Sequence, residues 1–512
     1  MMIQIDMFEV GLASALLMQF RTPDGPVRVL ADGGIEHGRD VKDTHPRVLA
    51  ALNVFEGSSR RIDLMIGTHY DADHLDGLVP IIDDKSIEIG EVWLPPIADD
   101  SEPGALDDRP GDEQLLPFKF AVPGNEALLN YLEAKARNLQ LLAQFRERLN
   151  EAAPERLHSF RWDAEDRGEV HEEQLLSGEY FETRLAQACE LLGLGQGHAD
   201  DDVSVPPDLS SFRALADQAG HWRYGDWPMF NKLDMTTASR SLAWIEQREA
   251  KDAINAKSLK KVVDALKRRT PAVDMCCRTV DDGTPRRFAW NAVQRRFVPG
   301  AEQRSDGPEL LLLGPSKGLV AKHWHRLPVG DYGSLLAFNR IPVKRITPSN
   351  ALSYVLRLSH EGQNILVAGD AGCVDFKPAP RKKAFYPDLI AALDRLAVVQ
   401  VAHHAGNNAH FYHALLEGGY DRQTDLSYLL ISHGVDDPLR PNEAFANFIE
   451  QLRSDQQKVS LLFTSRPRPE KVRDFRDLAA PLAGAPAGVA KADVQLVYGA
   501  GGWQVTQHHI AP

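Results

Sequence analysis

The sequence is poor in cysteine, with four in 512 residues, two of them the neighbours Cys276 and Cys277. So few thiols exclude a secreted disulfide framework and suit a reducing compartment. Long apolar runs are also missing. The longest near the start, from Val10 to Phe20, is too short to span a bilayer and follows Asp6 and Glu9 rather than a basic segment. Neither a signal peptide nor a membrane anchor is therefore expected, and the expected location is cytoplasmic. There is no low-complexity tract and no repeat of fixed period. Positive charge is in deficit: 58 Lys and Arg stand against 72 Asp and Glu, a net charge of −14. That argues against broad coating of nucleic acid while leaving room for a local basic groove. What remains is ordinary globular composition, 43% hydrophobic and 25% charged, in a chain long enough for more than one core.

Both ends of the chain read as strands and tight turns. Met2 to Met7 alternates apolar and polar, Ala15 to Phe20 reads as a buried strand, and Val27 to Leu30 runs into Asp32-Gly33-Gly34, a sharp turn. Ile62 to Ile66 is a further short apolar run, followed by a short helix over Leu75 to Ile82 and a strand at Glu91 to Leu94. From Asp99 the character changes to an acidic loop. Beyond it an amphipathic helix is expected through Leu128, Leu132, Leu139, Leu142, Phe145 and Leu149, and a second from Thr236 to Arg269. Strand grammar returns at Glu309 to Leu313 and continues in runs ending at Leu358, Ala368, Ala402 and Ile431, with helices at Tyr386 to Leu396 and Asn442 to Arg453. The expected division is 1–98 and 305–455 as two parts of one α/β core, 99–304 as a mainly helical insertion, and 456–512 as strands that complete or extend the core.

The chemistry concentrates in one loop, Thr68-His69-Tyr70-Asp71-Ala72-Asp73-His74-Leu75-Asp76-Gly77. His69, Asp71, Asp73 and His74 lie within six residues and can turn imidazole nitrogens and carboxylate oxygens towards one point, the donor set of Zn²⁺ or Mn²⁺. Two more strand ends add to it. Ile365 to Ala368 runs into Gly369-Asp370-Ala371-Gly372, and Val398 to Ala402 runs into His403-His404-Ala405-Gly406. Buried strands that end in Asp or His deliver ionisable groups to a sheet edge, where loops build sites. Asp76 reads either as a partner for a histidine N–H or as a turn residue.

These motifs resemble the metallo-β-lactamase fold superfamily, in particular the hydrolase domain of ComEC-type competence proteins. The resemblance rests on His69, Asp71, Asp73 and His74 as an H-x-D-x-D-H motif, on Ser349-Asn350 to Leu356 as the Asn/Ser-containing strand, on Ala368-Gly369-Asp370-Ala371, and on Ala402-His403-His404-Ala405-Gly406. It covers about 1–98 and 305–455. Asp32-Gly33-Gly34 is kept, the glycine-rich N-terminal motif is degraded to Glu9 to Ser14, and the usual His-Pro is replaced by Asp436 to Pro441, where His433 is the nearest substitute. The resemblance implies an α/β fold, an αββα metallo-β-lactamase-type sandwich interrupted by a long mainly helical insertion. It also implies one or two divalent metal ions, Zn or Mn with Mg possible. His69 and Asp71 would hold one ion, Asp73 (also the expected catalytic residue) and His74 the other, Asp370 would bridge, and His403 or His404 would complete a shell.

The expected activity is metal-dependent hydrolysis, as a nuclease or phosphodiesterase. Hydrolysis of a small ester, lactone or amide, or an effector module meeting a protein partner through 99–304, are the alternatives. Nucleic acid or a nucleotide is the expected substrate and no membrane is involved. Asn350 and His433 are candidate substrate contacts, as are Lys257, Lys260 and Lys261, whose basic segment reads either as a phosphate contact or as a solvated helix face.

Overall fold

A computed structural model describes residues 2–35, 44–54, 59–96, 258–300, 306–324, 348–378, 384–406, 408–454, 458–479 and 489–509. Short runs of three to eight residues, most of them apolar and bounded by glycine, proline or acidic turns, form sixteen strands among the described residues, and these pair into two mixed sheets of eight. The first sheet has the order β16 (Gly502–His509), β15 (Ala492–Gly499), β1 (Ile3–Met7), β2 (Leu16–Thr22), β3 (Gly25–Ala31), β4 (Arg61–Ile66), β5 (Glu88–Trp93), β6 (Asp274–Cys276). The second has the order β14 (Val459–Phe463), β13 (Ser427–Ile431), β12 (Leu396–Gln400), β11 (Gln363–Val367), β10 (Val355–His360), β9 (Glu309–Gly314), β7 (Arg286–Asn291), β8 (Arg296–Pro299). The terminal strands thus divide, β14 joining the second sheet while β15 and β16 extend the first.

Three apolar clusters account for the burial. One draws on both sheets, with Ile3, Met18, Val29 and Leu64 meeting Leu312, Leu356, Ile365 and Val398. A second combines the alternate residues of the first sheet (Leu17, Leu30, Met65, Val92) with α1 (Thr44–Leu52), α3 (Leu78–Asp83) and a helix, α4, over 258–268. The third combines the second sheet (Leu366, Val399, Leu429, Leu461) with α7 (Pro387–Ala391), α8 (Ala409–Glu417) and α9 (Glu443–Ser454). Alternation in the strands is what divides each sheet between two clusters. The smaller helices are α2 (Ala72–Leu75), α5 (Lys317–Trp324) and α6 (Pro348–Ala351).

Two local expectations shift. The helix expected over Leu75 to Ile82 is broken into α2 and α3 at Gly77, because the Gly33 backbone passes against it; a Cβ on Gly77 would lie 1.9 Å from the Gly33 carbonyl oxygen. Residues 258–300, placed by spacing inside the helical insertion, supply α4 and three strands to the two sheets, with Leu259, Val262, Val263 and Leu266 of α4 buried. The rest of the insertion lies outside the described residues, and with it the helix expected through Leu128 to Leu149 and the expected partner surface. Among the described residues no helix is long and apolar enough to cross a membrane.

Candidate metal centre

Parallel pairing brings the strand ends together. β3, β4 and β5 run parallel, as do β11, β12 and β13, so the loops after β3, β4, β11 and β12 leave on matching sides of their sheets. The loops are tied to one another through the backbone. Asp32 N–H donates to Ile66 O at 2.8 Å, Gly33 N–H to His74 O at 2.8 Å, Gly77 N–H to Gly34 O at 2.9 Å, and Tyr354 N–H, from the second sheet, to Thr68 O at 2.7 Å.

In this frame His69, His74 and Asp370 present ligand atoms within 4.8 Å of one another, and all three are buried; Asp73, His74 and His404 form a second such group. Among the histidines, Nε2 of His69 lies 3.7 Å from the Asp370 carboxylate, and Nε2 of His74 and of His403 each lie 3.9 Å from it. Asp71 Oδ2 is 3.8 Å from His69 Nε2. These separations are too long for hydrogen bonds and leave room for an atom between the groups.

The hydrogen-bond network sets the tautomers. The single proton of the Thr68 hydroxyl goes to Asp32 Oδ2 at 2.8 Å, so at 3.1 Å the His69 Nδ1–H must donate to Thr68 Oγ1. The His74 Nδ1–H donates to Asp32 Oδ2 at 2.8 Å. Both Nε2 atoms therefore face the centre, and among the described residues neither has a hydrogen-bond partner although both are fully buried. Buried unpartnered nitrogens are costly in a chain that leaves them so, and they fit a metal cation as their partner.

Electrostatics prepare the same donors. Burial, and then the neighbouring His74, hold His69 below its ordinary range and therefore neutral. Burial drives His404 well below its ordinary value. Asp370 is opposed by burial, but His403, His69, His74 and His404 outweigh that and keep its carboxylate ionised far below the usual range. His74 is the exception. Burial disfavours its charge, yet Asp32 and Asp370 overcome that and raise it to about 10. A metal arriving at His74 must therefore displace a proton.

The His403–His404 turn carries strain. His403, His404 and Ala405 have φ of 51°, 55° and 64°, three successive non-glycine residues in the left-handed region. Each costs on the order of 1–2 kcal/mol. The turn is pinned by His403 N–H to Gly369 O at 3.3 Å and by Asn442 N–H to Ala405 O at 2.9 Å, and it holds both imidazoles beside Asp370. Such strain belongs to sites whose side chains must point one way.

The other expected contacts separate. Asn350 reaches the centre, its amide 3.5 Å from Asp370 Oδ2. His433 does not. It is fully buried with Nδ1 3.2 Å from Ser465 Oγ and Nε2 3.2 Å from Arg440 O, both nitrogens spent on protein oxygens. Lys260 pairs with Asp264, and Lys261 with Asp76 at 3.5 Å, so both ammonium groups have acidic partners at α4; Lys257 lies outside the described residues. The carboxylate that holds a histidine is thus Asp32 rather than Asp76. Asp32 also ends a buried strand, the same signal that identifies Asp370.

The chain matches no protein-family model and no curated protein sequence.

Proposed function

We propose that this protein is a metal-dependent hydrolase of the metallo-β-lactamase type, a nuclease or phosphodiesterase, its two sheets forming the inner layers of an αββα sandwich. The apolar cluster shared by the sheets and the two helix-bearing clusters beyond them support the architecture. The observation that carries the activity is the pair of buried, unpartnered Nε2 atoms of His69 and His74 beside an ionised Asp370.

In this reading His69, His74 and Asp370 would hold one divalent ion, Asp73 and His404 stand on the other side of His74 where a second could sit, and Asp71 and His403 stand at the rim of the group. When bound, such ions supply a water of lowered pKa and charge stabilisation for the scissile group. The chain's own residues do the rest. Asp32 fixes the His74 ring, Thr68 relays that anchor to His69, and Asn350 steadies Asp370. Asp73, half-buried where His69, His74 and Asp370 are buried, would be the carboxylate that meets the water or the substrate. Three carboxylates among the donors make the set hard, which favours Mn²⁺ or Mg²⁺ over Zn²⁺.

Purified chain, loaded separately with Mn²⁺, Mg²⁺ or Zn²⁺, should retain one or two ions by elemental analysis and cleave DNA, RNA or a chromogenic phosphodiester. Asp370→Asn should lose both properties. Wild-type chain with no retained metal and no cleavage under any of these conditions would overturn the reading.

A further inference from the structure

A cleft of about 780 Å³ opens at the end of the second sheet away from the candidate centre, its wall including Arg21, Glu309, Arg357, Ser359, His360 and Asp394. Asn364, also in the wall, lies at the start of β11, whereas Asp370 follows the far end of that strand. At about 3.3 Å per residue the two are separated by roughly 15 Å. The volume is that of a small-molecule site, and most of the lining side chains are polar or charged, so a fitting occupant is polar too.

Alternation builds the wall. Leu356 and Leu358 of β10 turn into the cluster shared by the sheets, so Arg357 and Ser359 face the helix side. There Arg357 stands between Leu311 and Leu366 in the ladder, and Ser359 between Glu309 and Asn364. Ser359 Oγ donates to Asn364 Oδ1 at 2.8 Å. The Asn364 amide donates to Asp394 O at 3.1 Å and to Arg395 O at 3.2 Å, pinning a turn in which Arg395 has φ of 48°. His360 Nε2 lies 3.3 Å from Arg21 O, which ties β2 of the first sheet to this end of the second.

The charges of the cleft do not balance in pairs. Arg395 meets Asp394 at 3.2 Å, Arg287 meets Glu309 at 3.0 Å, and His360 lies 3.9 Å from Glu361, which leaves Arg357 and Arg21 with no carboxylate within ion-pair distance among the described residues. Arg357 donates through Nη1 to Ala392 O, just after α7, at 2.8 Å, while its Nε is buried with no hydrogen-bond partner. Burial works against the Arg357 charge, and Glu309, too far for an ion pair, offsets this only in part. A guanidinium held in this way is short of an anion.

We infer that the cleft binds a phosphate monoester bearing hydroxyl groups, a sugar phosphate or a nucleotide, with the phosphate held by Arg357 and Arg21. Two uncompensated guanidiniums are matched by a terminal phosphate, which brings about −1.5 to −2 charges at neutral pH, better than by a single carboxylate. Asp306 and Glu361, exposed at the rim, are acceptors for sugar hydroxyls. The cleft is separate from the candidate centre, and the inference goes beyond the hydrolase reading without depending on it.

Calorimetric titration of the full-length chain tests it, with ribose 5-phosphate and AMP as esters and with ribose and inorganic phosphate as the separate parts. Wild type, Arg357→Gln, Arg357→Lys and Arg21→Gln are compared, and metal content and circular dichroism are recorded for each. Wild type should bind at least one ester, inorganic phosphate more weakly, and ribose not measurably. Arg357→Gln should weaken the ester about tenfold or more, Arg21→Gln about threefold to tenfold because that side chain is exposed, and Arg357→Lys should restore part of the loss, all with unchanged metal content. Arg21→Gln keeps the test decisive where circular dichroism shows Arg357→Gln to be misfolded. Tighter binding of AMP than of ribose 5-phosphate assigns the cleft to nucleotides, and the reverse assigns it to sugar phosphates. No binding of either ester by wild type, or binding that both Gln variants leave unchanged, overturns the inference.

Discussion

Replacing Asp32 by Asn tests the logic of the centre without touching a proposed ligand. Asp32 is fully buried and accepts three hydrogen bonds, from Thr68 N–H at 2.7 Å, the Thr68 hydroxyl at 2.8 Å and His74 Nδ1–H at 2.8 Å. Asparagine preserves the shape and one acceptor. Its amide, however, donates to His74 Nδ1, which moves the imidazole proton to Nε2 and blocks the lone pair aimed at the centre. Metal affinity should fall about 10–100-fold, the usual effect of losing such a carboxylate partner. Stability responds as well, and its sign follows from the direction of the shift. His74 titrates near 10 in the folded chain against an ordinary 6.5, a raised value. Its ion pairing therefore contributes fully below pH 6.5 and is lost as pH rises through about 10, with a ceiling of about 5 kcal/mol. Asp370 supplies part of that, so Asp32→Asn should cost about 2–4 kcal/mol at pH 6 and progressively less towards pH 10. Urea denaturation in the presence of a chelator at pH 6, 8 and 10, with metal titration at pH 7.5, measures both effects. A stability gap that stays constant with pH, or a change in metal affinity below about threefold, would refute the reasoning.

Gly77→Ala should destabilise by about 3 kcal/mol or more in urea denaturation, because the new Cβ would meet the Gly33 carbonyl oxygen at 1.9 Å and its carbon at 2.6 Å, both backbone. Its φ of −70° is open to any residue, so the cost is purely one of space; Gly499→Ala, with nothing within 4 Å, should stay within about 0.5 kcal/mol. Asp375 is raised to about 6 by burial, so its contribution is present below its ordinary 3.8 and lost as pH rises through 6. Asp375→Asn keeps an acceptor for Ser316 N–H, now 2.7 Å from the carboxylate, and should gain about 1–2 kcal/mol over wild type at pH 7.5 while matching it near pH 4. A gain that does not depend on pH would contradict the assignment.

The legible part of the fold was the part built by local pattern. Short apolar runs stopped by Asp, Gly or Pro mark β1 to β5 and β9 to β15 within a few residues, because alternation and turn chemistry act locally. The sequence around 258–300 was harder. Arg286-Arg287-Phe288 and Arg296-Phe297 carry charges typical of surface, yet Phe288 and Phe297 are buried in the cluster between the sheets, the Arg286 guanidinium lies 5.3 Å from the centroid of the Phe288 ring, and of the three arginines Arg287 is the exposed one. Strand membership there is decided by β5 and β9 across the chain, which no local window contains. The His and Asp residues that meet at the candidate centre were legible because they occupy strand ends. Their partners were less so, since Asp32 and Asp76 are equally acidic and equally near glycine, and only the pairing of β3 with β4 decides that Asp32 reaches His74. The basic stretch misleads for a similar reason. Lys261 and Arg268 find Asp76 and Asp83 185 residues away, on the faces α4 covers.

The centre's position follows from a correspondence between the two sheets that has no counterpart as a fixed-period repeat. Each sheet makes four successive antiparallel pairings and then three parallel ones: β16-β15-β1-β2-β3 followed by β4-β5-β6, and β8-β7-β9-β10-β11 followed by β12-β13-β14. The strand at the change of direction ends in an acid in both, Asp32 after β3 and Asp370 after β11, and the next strand ends in histidine, His69 after β4 and His403–His404 after β12. The two acids then take different work. Asp32, fully buried with three donors, orients His74, whereas Asp370, which His69, His74 and His403 approach at separations too long for hydrogen bonding, is left with its charge facing the centre. Matching topology thus supplies matching residues, and the contacts around each one, which differ between the sheets, divide them into a residue that orients His74 and a carboxylate that faces the candidate centre.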